Sequence, residues 1–176
     1  IQEGGGISMW GSNAVFKNVH IRDNESEHIG GGISMWWSSP IFKYVSITDN
    51  IASSDGGGMI IAEVSNPIMN NVTISNNTSV SWGSGGGILI YYWSAPVLVN
   101  SIMWGNSPYE IFMWYDPGYY ESGGENITIS HSNIEHGLSG IGYWGQQSVY
   151  WLEGNITQAP LFVESDDYTL QEGSPC

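Results

Sequence analysis

Seventeen carboxylates, four histidines and three lysine or arginine side chains are the ionisable groups with which this chain could do chemistry. Proton abstraction from carbon needs a base held over a groove. Lys17, Arg22 and Lys43 are the only fixed cations, and just Asp23 and Asp49 stand near them in sequence. The simpler reading of both lysines is exposed, solubilising charge. Glycoside hydrolysis needs two carboxylates facing each other across a cleft. Glu63, Glu110, Glu135, Glu153 and Glu164 are scattered, and the adjacent pair Asp166–Asp167 sits in a turn-like ESDDY. His20, His28, His131 and His136 lack ligand spacing. The loop YDPGYYESGGE could hold calcium through Asp116, Glu121 and Glu125, and reads more simply as an ordinary acidic loop. No catalytic constellation and no cofactor motif emerges.

Aromatic residues carry the sharper signal. The chain has 9 Trp, 10 Tyr and 4 Phe. Trp10, Trp36, Tyr91 and Trp114 fall into one column of a repeat, with Ala62 in the middle. The neighbouring column holds Gly11, Trp37, Glu63, Tyr92 and Tyr115. Outward aromatic columns make a surface on which sugar rings stack, so Trp10, Trp36, Trp37, Tyr91, Tyr92 and Trp114 are the candidate ligand-binding residues. Stacked aromatics also stabilise a sheet face without binding anything. A contact for a partner protein or for another copy is a third use.

Charge narrows the partners. The formal net charge is −14. Nucleic acid needs a basic stripe that is missing here, and anionic lipid would repel the chain. No run is long and apolar enough to suggest membrane insertion. Cys176 is the only cysteine and pairs with nothing inside the chain.

The elements that must position these residues are written as a repeat. Residues 4–10 and 30–36 both read GGGISMW, and triple glycines recur at Gly4–Gly6, Gly30–Gly32, Gly56–Gly58 and Gly85–Gly87. Such a period signals a solenoid. One column is apolar after the glycines (Ile7, Ile33, Met59, Ile88). A second reads V-x-I (Val19/Ile21, Val45/Ile47, Val72/Ile74), with Ser101/Met103 in the fourth copy. A third is Asn24, Asn50, Asn77, Asn106, and a fourth is Pro40, Pro67, Pro96. Short alternating runs rich in β-branched residues are strands. Stacked repeats of this kind give an all-β, parallel β-helix of about six coils. Its apolar columns form the core, its asparagines a hydrogen-bonded structural ladder at a bend, and its glycines the corner before the strand. We divide one domain, residues 1–176, into repeats near 4–29, 30–55, 56–84 and 85–110, degenerate coils at 111–153 and an irregular closing segment at 154–176. The chain starts without Met, beside a repeat, and reads as a piece of a longer protein.

Three stretches carry a family resemblance. NSIMWGNSPYEI (Asn100–Ile111), ITISHSNIEHG (Ile127–Gly137) and the ending GNITQAPLFVESDDYTLQEGSPC (Gly154–Cys176) resemble right-handed parallel β-helix repeat proteins of the pectate-lyase-like superfamily, of the exported bacterial surface type. The resemblance implies the right-handed β-helix and an extracellular or cell-surface location. It implies no single activity, because the fold hosts lyases, hydrolases, adhesins and passive scaffolds. The expectation is therefore a non-catalytic surface scaffold or adhesive unit, with a polysaccharide or surface glycan as partner on the aromatic face. The alternatives are a polysaccharide lyase or glycoside hydrolase, and a fibre subunit that stacks end to end with other copies or with neighbouring domains.

Overall fold

The computed structural model describes residues 4–80, 84–114, 124–145, 147–164 and 168–176. The chain winds through the same three short strands again and again. The first coil holds β1 (Ile7–Trp10), β2 (Val15–Arg22) and β3 (Glu25–Ser26). The second holds β4 (Ile33–Trp36), β5 (Ile41–Thr48) and β6 (Ile51–Ala52), and the third β7 (Met59–Ala62), β8 (Ile68–Ser75) and β9 (Thr78–Ser79). The fourth has β10 (Gly85–Tyr91), β11 (Val97–Val99) and β12 (Ile102–Trp104). The fifth has β13 (Tyr109–Trp114), β14 (Asn126–Ser130) and β15 (Asn133–Ile134). A 3-10 turn at Gly137–Gly140 then leads to β16 (Ile141–Trp144) and β17 (Ser148–Trp151).

Like strands pair with like, always in parallel. The first sheet runs β1-β4-β7-β10-β13-β16, so its six strands mark five full turns. The second runs through β2, β5 and β8 and then divides, β8 pairing with both β11 and β12. The third is β3-β6-β9. The register is that of the repeat: Ile7 lies on Ile33, Ile33 on Met59, Met59 on Ile88, Ile88 on Ile111 and Ile111 on Ile141.

Inward residues from the first two sheets fill one continuous core, including Met35, Phe42, Ile61, Met69, Ile90 and Met113. Each fully buried aliphatic or aromatic side chain contributes about 1.5–3 kcal/mol relative to exposure. No single coil closes around these side chains; the coils above and below bury them. The prolines do as expected, each standing one residue before a second-sheet strand, where its carbonyl accepts from the next coil: Ile68 N donates to Pro40 O and Val97 N to Pro67 O.

The glycines divide their labour more finely than a flexible corner requires. Only the first of each triple turns left-handed, at φ 76, 65 and 67° for Gly4, Gly30 and Gly56. The second and third are small because neighbours are close. A Cβ on Gly31 would stand 2.4 Å from Gly57 O, and one on Gly58 would stand 2.6 Å from Gly87 O and 3.1 Å from the side chain of Asn77. The fourth triple departs from this, since Gly85 already belongs to β10.

After β17 the chain makes one more rung, Ile156 pairing with Asn133. The irregular closing segment then bends back along the outside of the second sheet, where the Tyr168 hydroxyl donates to Asp49 Oδ2 at 2.8 Å and accepts from Asn76 Nδ2 at 3.1 Å.

Candidate functional site

The aromatic column forms in the expected register. Trp10 lies on Trp36, Trp36 on Ala62, Tyr91 on Trp114, and Trp114 on Trp144, a rung the repeat alignment missed because no triple glycine marks the last coil. Neighbouring rings stack at 6.3 Å for Trp10–Trp36 and for Tyr91–Trp114, and Trp114 and Trp144 meet tilted by 33° at 5.6 Å.

Exposure along the column is uneven. Trp36, Tyr91 and Trp114 are half-buried and pack against a second apolar cluster of Ile60, Ala62, Leu89 and Phe112, which lies on the outer side of the first sheet. Ala62 is fully buried, so the small residue at the break is roofed over rather than left as a gap. The ends differ. Trp10 is 70% and Trp144 64% exposed. A ring stacked on both sides offers little face to a ligand, so these open rings are the ones a flat ligand can cover.

The second column is a corner, not a face. Gly11, Trp37, Glu63 and Tyr92 all have left-handed backbones, at φ 60, 48, 55 and 44°. The chain turns there towards the second sheet, which swings the side chains out of the plane of the first. Trp37 emerges at this corner 48% exposed, its ring 4.4 Å from that of Trp10 and tilted by 56°. Trp10, Trp36 and Trp37 thus form one tryptophan cluster, and the Trp36 indole Nε1 lies buried in it without a hydrogen-bond partner. Tyr91 and Tyr92 meet edge to face at 4.0 Å. Glu63, at the same corner, is nearly buried, and that burial raises its pKa. Tyr115 lies outside the described residues, as do Asp116, Glu121, Asp166 and Asp167.

Behind these surfaces run polar ladders that the sequence only partly disclosed. In the asparagine ladder, Asn24 Nδ2 donates to Asn50 Oδ1, Asn50 Nδ2 to Asn77 Oδ1 and Asn77 Nδ2 to Asn106 Oδ1, each at 2.9 Å. The same amides also donate back to the preceding coil, Asn50 to Ile21 O, Asn77 to Ile47 O and Asn106 to Ile74 O. Counting on from the pair Met103–Ile134, the next rung is Gly137, which has no side chain. Glu110 fills the place. It stands where earlier coils have their third glycine, and it accepts from both N and Nδ2 of Asn106. Burial pushes its pKa up to about 8, against the lowering effect of the Asn106 bonds and with help from the nearby Glu135 carboxylate.

A serine ladder follows the same rule at another corner. Ser12 N donates to Ser38 Oγ, Ser38 N to Ser65 Oγ and Ser65 N to Ser94 Oγ. The pair Val97–Thr128 puts Glu125 on the following rung, where it accepts from Trp93 N at 3.3 Å. Burial raises its pKa, opposed by the backbone N–H groups around it and by Gln147. Glu125, named above as a calcium ligand, is thus engaged within the stack. Among the described residues no three His, Cys, Asp or Glu side chains gather as metal ligands would. The signal for both acids was available: each falls in a column that earlier copies give to Gly or Ser.

The class that this architecture defines is the parallel β-solenoid, built on a continuous apolar core, polar ladders and one aromatic column. The family model described as right handed beta helix region matches residues 2–120, more than half of the chain, and the chain belongs to that family. No curated protein and no solved structure matches it.

Proposed function

We propose that this chain is a non-catalytic module of an exported protein, a rigid surface scaffold that holds a glycan against the tryptophan cluster at its first coils. The observation that carries this reading is Trp37. A bulky residue in the left-handed region is costly by about 1 kcal/mol or more, yet Trp37 stands there half-exposed beside the open ring of Trp10. Core packing does not account for that placement; a flat apolar partner would. The exposed Trp144 is a second contact further along the same column. A long carbohydrate chain has the repeat and the flat C–H faces to cover such rings.

The test is intrinsic tryptophan fluorescence during titration with a panel of neutral and acidic polysaccharides, with and without calcium. A saturable shift that weakens about tenfold or more in Trp37→Ala and in Trp10→Ala supports the reading. A response equal in both variants and the parent, or none with any glycan, rejects it. Sugar release assayed in the same tubes would move the reading to a polysaccharide-active enzyme.

A further inference from the structure

The outer face of the second sheet is divided lengthwise. Asn18, Tyr44, Asn71 and Asn100 hold one left-handed position in successive coils, at φ 54, 55, 55 and 50°, and the strands turn there. Beyond that turn the outward column reads His20, Ser46 and Thr73, in register. The closing segment runs alongside. Between the two lies a groove of about 900 Å³, with this column as its floor and Tyr168 and Thr169 as its wall. Asn71 also lines a second hollow of about 440 Å³, which continues past Asn100 and His131 to the end of the closing segment at Leu170 and Cys176. Together they make a trough that crosses several coils.

The lining decides what the trough can take. Among the described residues it holds no carboxylate, and its one guanidinium, Arg22, is paired with Asp23 at 2.9 Å. Nothing there is set to hold an ion. An apolar ligand would strip water from the hydroxyl and amide groups of Ser46, Thr73, Asn71 and Asn100 without replacing it. An extended peptide gains affinity by adding a strand at a sheet edge, and β5 and β8 already have neighbours on both sides. The floor is ordered, His20 Nδ1 and Ser46 Oγ sharing a hydrogen bond at 2.7 Å. Tyr44 adds a ring to it. Asparagine adopts the left-handed conformation readily and tyrosine does not. Burial does not offset that strain, because the residue is 58% exposed.

We propose that this trough binds a neutral, linear oligosaccharide, one sugar ring lying on Tyr44 and the hydroxyls of the chain exchanging hydrogen bonds with Thr73, Asn71 and Asn100. Sugar hydroxyls both donate and accept, as the hydroxyl and amide groups of the lining do, and the C–H face of a sugar covers an aromatic ring. The run of the trough across coils suits a chain rather than a single sugar. The net charge of −14 works against an acidic glycan and leaves a neutral one untouched. The trough is on a different sheet from the tryptophan cluster, and neither site depends on the other.

The experiment is calorimetric titration with neutral hexasaccharides of glucose, xylose, mannose and galactose, with the matching disaccharides, and with hexagalacturonate as the anionic control. It is run on the parent chain and on Trp10→Ala/Trp37→Ala, in which a glycan held by the tryptophan cluster no longer enters the signal. At least one neutral hexasaccharide should bind the tryptophan variant, about tenfold or more tighter than its disaccharide. Adding Tyr44→Asn should weaken that binding about tenfold or more. It should not lower the melting temperature, because asparagine holds the same position in three other coils. Thr73→Val, which keeps the shape and removes the hydroxyl, should also weaken binding. No binding of any neutral hexasaccharide, equal or tighter binding of hexagalacturonate, or binding that both Tyr44→Asn and Thr73→Val leave unchanged overturns the proposal. Binding seen only in the parent belongs to the tryptophan cluster and overturns this proposal while supporting that one.

Discussion

At the scale of single residues, Glu110 shows how a sequence ends a ladder. Every asparagine rung needs an acceptor on the next coil, and the last one has only Gly137 ahead of it in its own column. A carboxyl reaching across from the glycine column supplies two acceptor oxygens to Asn106. The cost is a buried acid whose pKa rises from 4.5 to about 8. Between those values the folded chain keeps a proton that the unfolded chain has released, so stability falls as pH rises through that window and is level outside it. The slope reaches at most about 1.4 kcal/mol per pH unit for one group. Urea midpoints measured against pH should show this decline, and Glu110→Gln should remove most of it. Glu125, also raised by burial, accounts for part of what remains. An undiminished slope in the variant would mean that Glu110 titrates normally.

At the scale of elements, the ladders decide which coils are indispensable. Asn77→Ala strips the acceptor from Asn50 N and Nδ2 and the donor from Ile47 O, all buried. With about 1–3 kcal/mol for each orphaned group, the loss should be at least about 3 kcal/mol by chemical denaturation. Asn24→Ala, at the first rung, deprives no earlier rung and should cost about 1 kcal/mol; equal losses would show that the ladder is not what the asparagines provide. The strand order, the apolar columns, the proline column and the asparagine ladder were legible in the sequence because a repeat prints the same environment four times. What repetition does not print stayed hidden. Glu110 and Glu125 read as scattered acids because their meaning lies in a column, and the alignment had lost the column by then. The aromatic register was legible but its exposure was not. Whether Trp36 or Trp10 shows its ring depends on the outer cluster of Ile60, Leu89 and Phe112, which follows no period. The groove walled by Tyr168 joins residues more than 100 positions apart and left no mark on any one coil.

At the scale of the whole molecule, the closing segment acts as a strap along the flank, fastened by the Tyr168 phenol and, at its end, by the bond from Asn133 Nδ2 to Cys176 Sγ. Tyr168→Phe removes the hydrogen bonds to Asp49 and Asn76, a net effect of about 1 kcal/mol. Amide exchange should quicken between Tyr168 and Cys176 while the core strands keep their protection; uniform acceleration would mean that the strap and the solenoid open together. The ladders give the molecule a further property. Each ladder asparagine donates from N and Nδ2 to the side-chain oxygen one coil later, and Glu110 supplies that acceptor to the last of them. A coil such as residues 30–55 meets the same asparagine, serine and glycine columns on both sides, so copies of it can be spliced in before that point and the rod grows by one rung for each. Past Glu110 the strands still stack, through β16, β17 and Ile156, but the asparagine column does not continue. The molecule therefore has a stretch open to extension, and the asparagine ladder that runs through it closes where Glu110 falls.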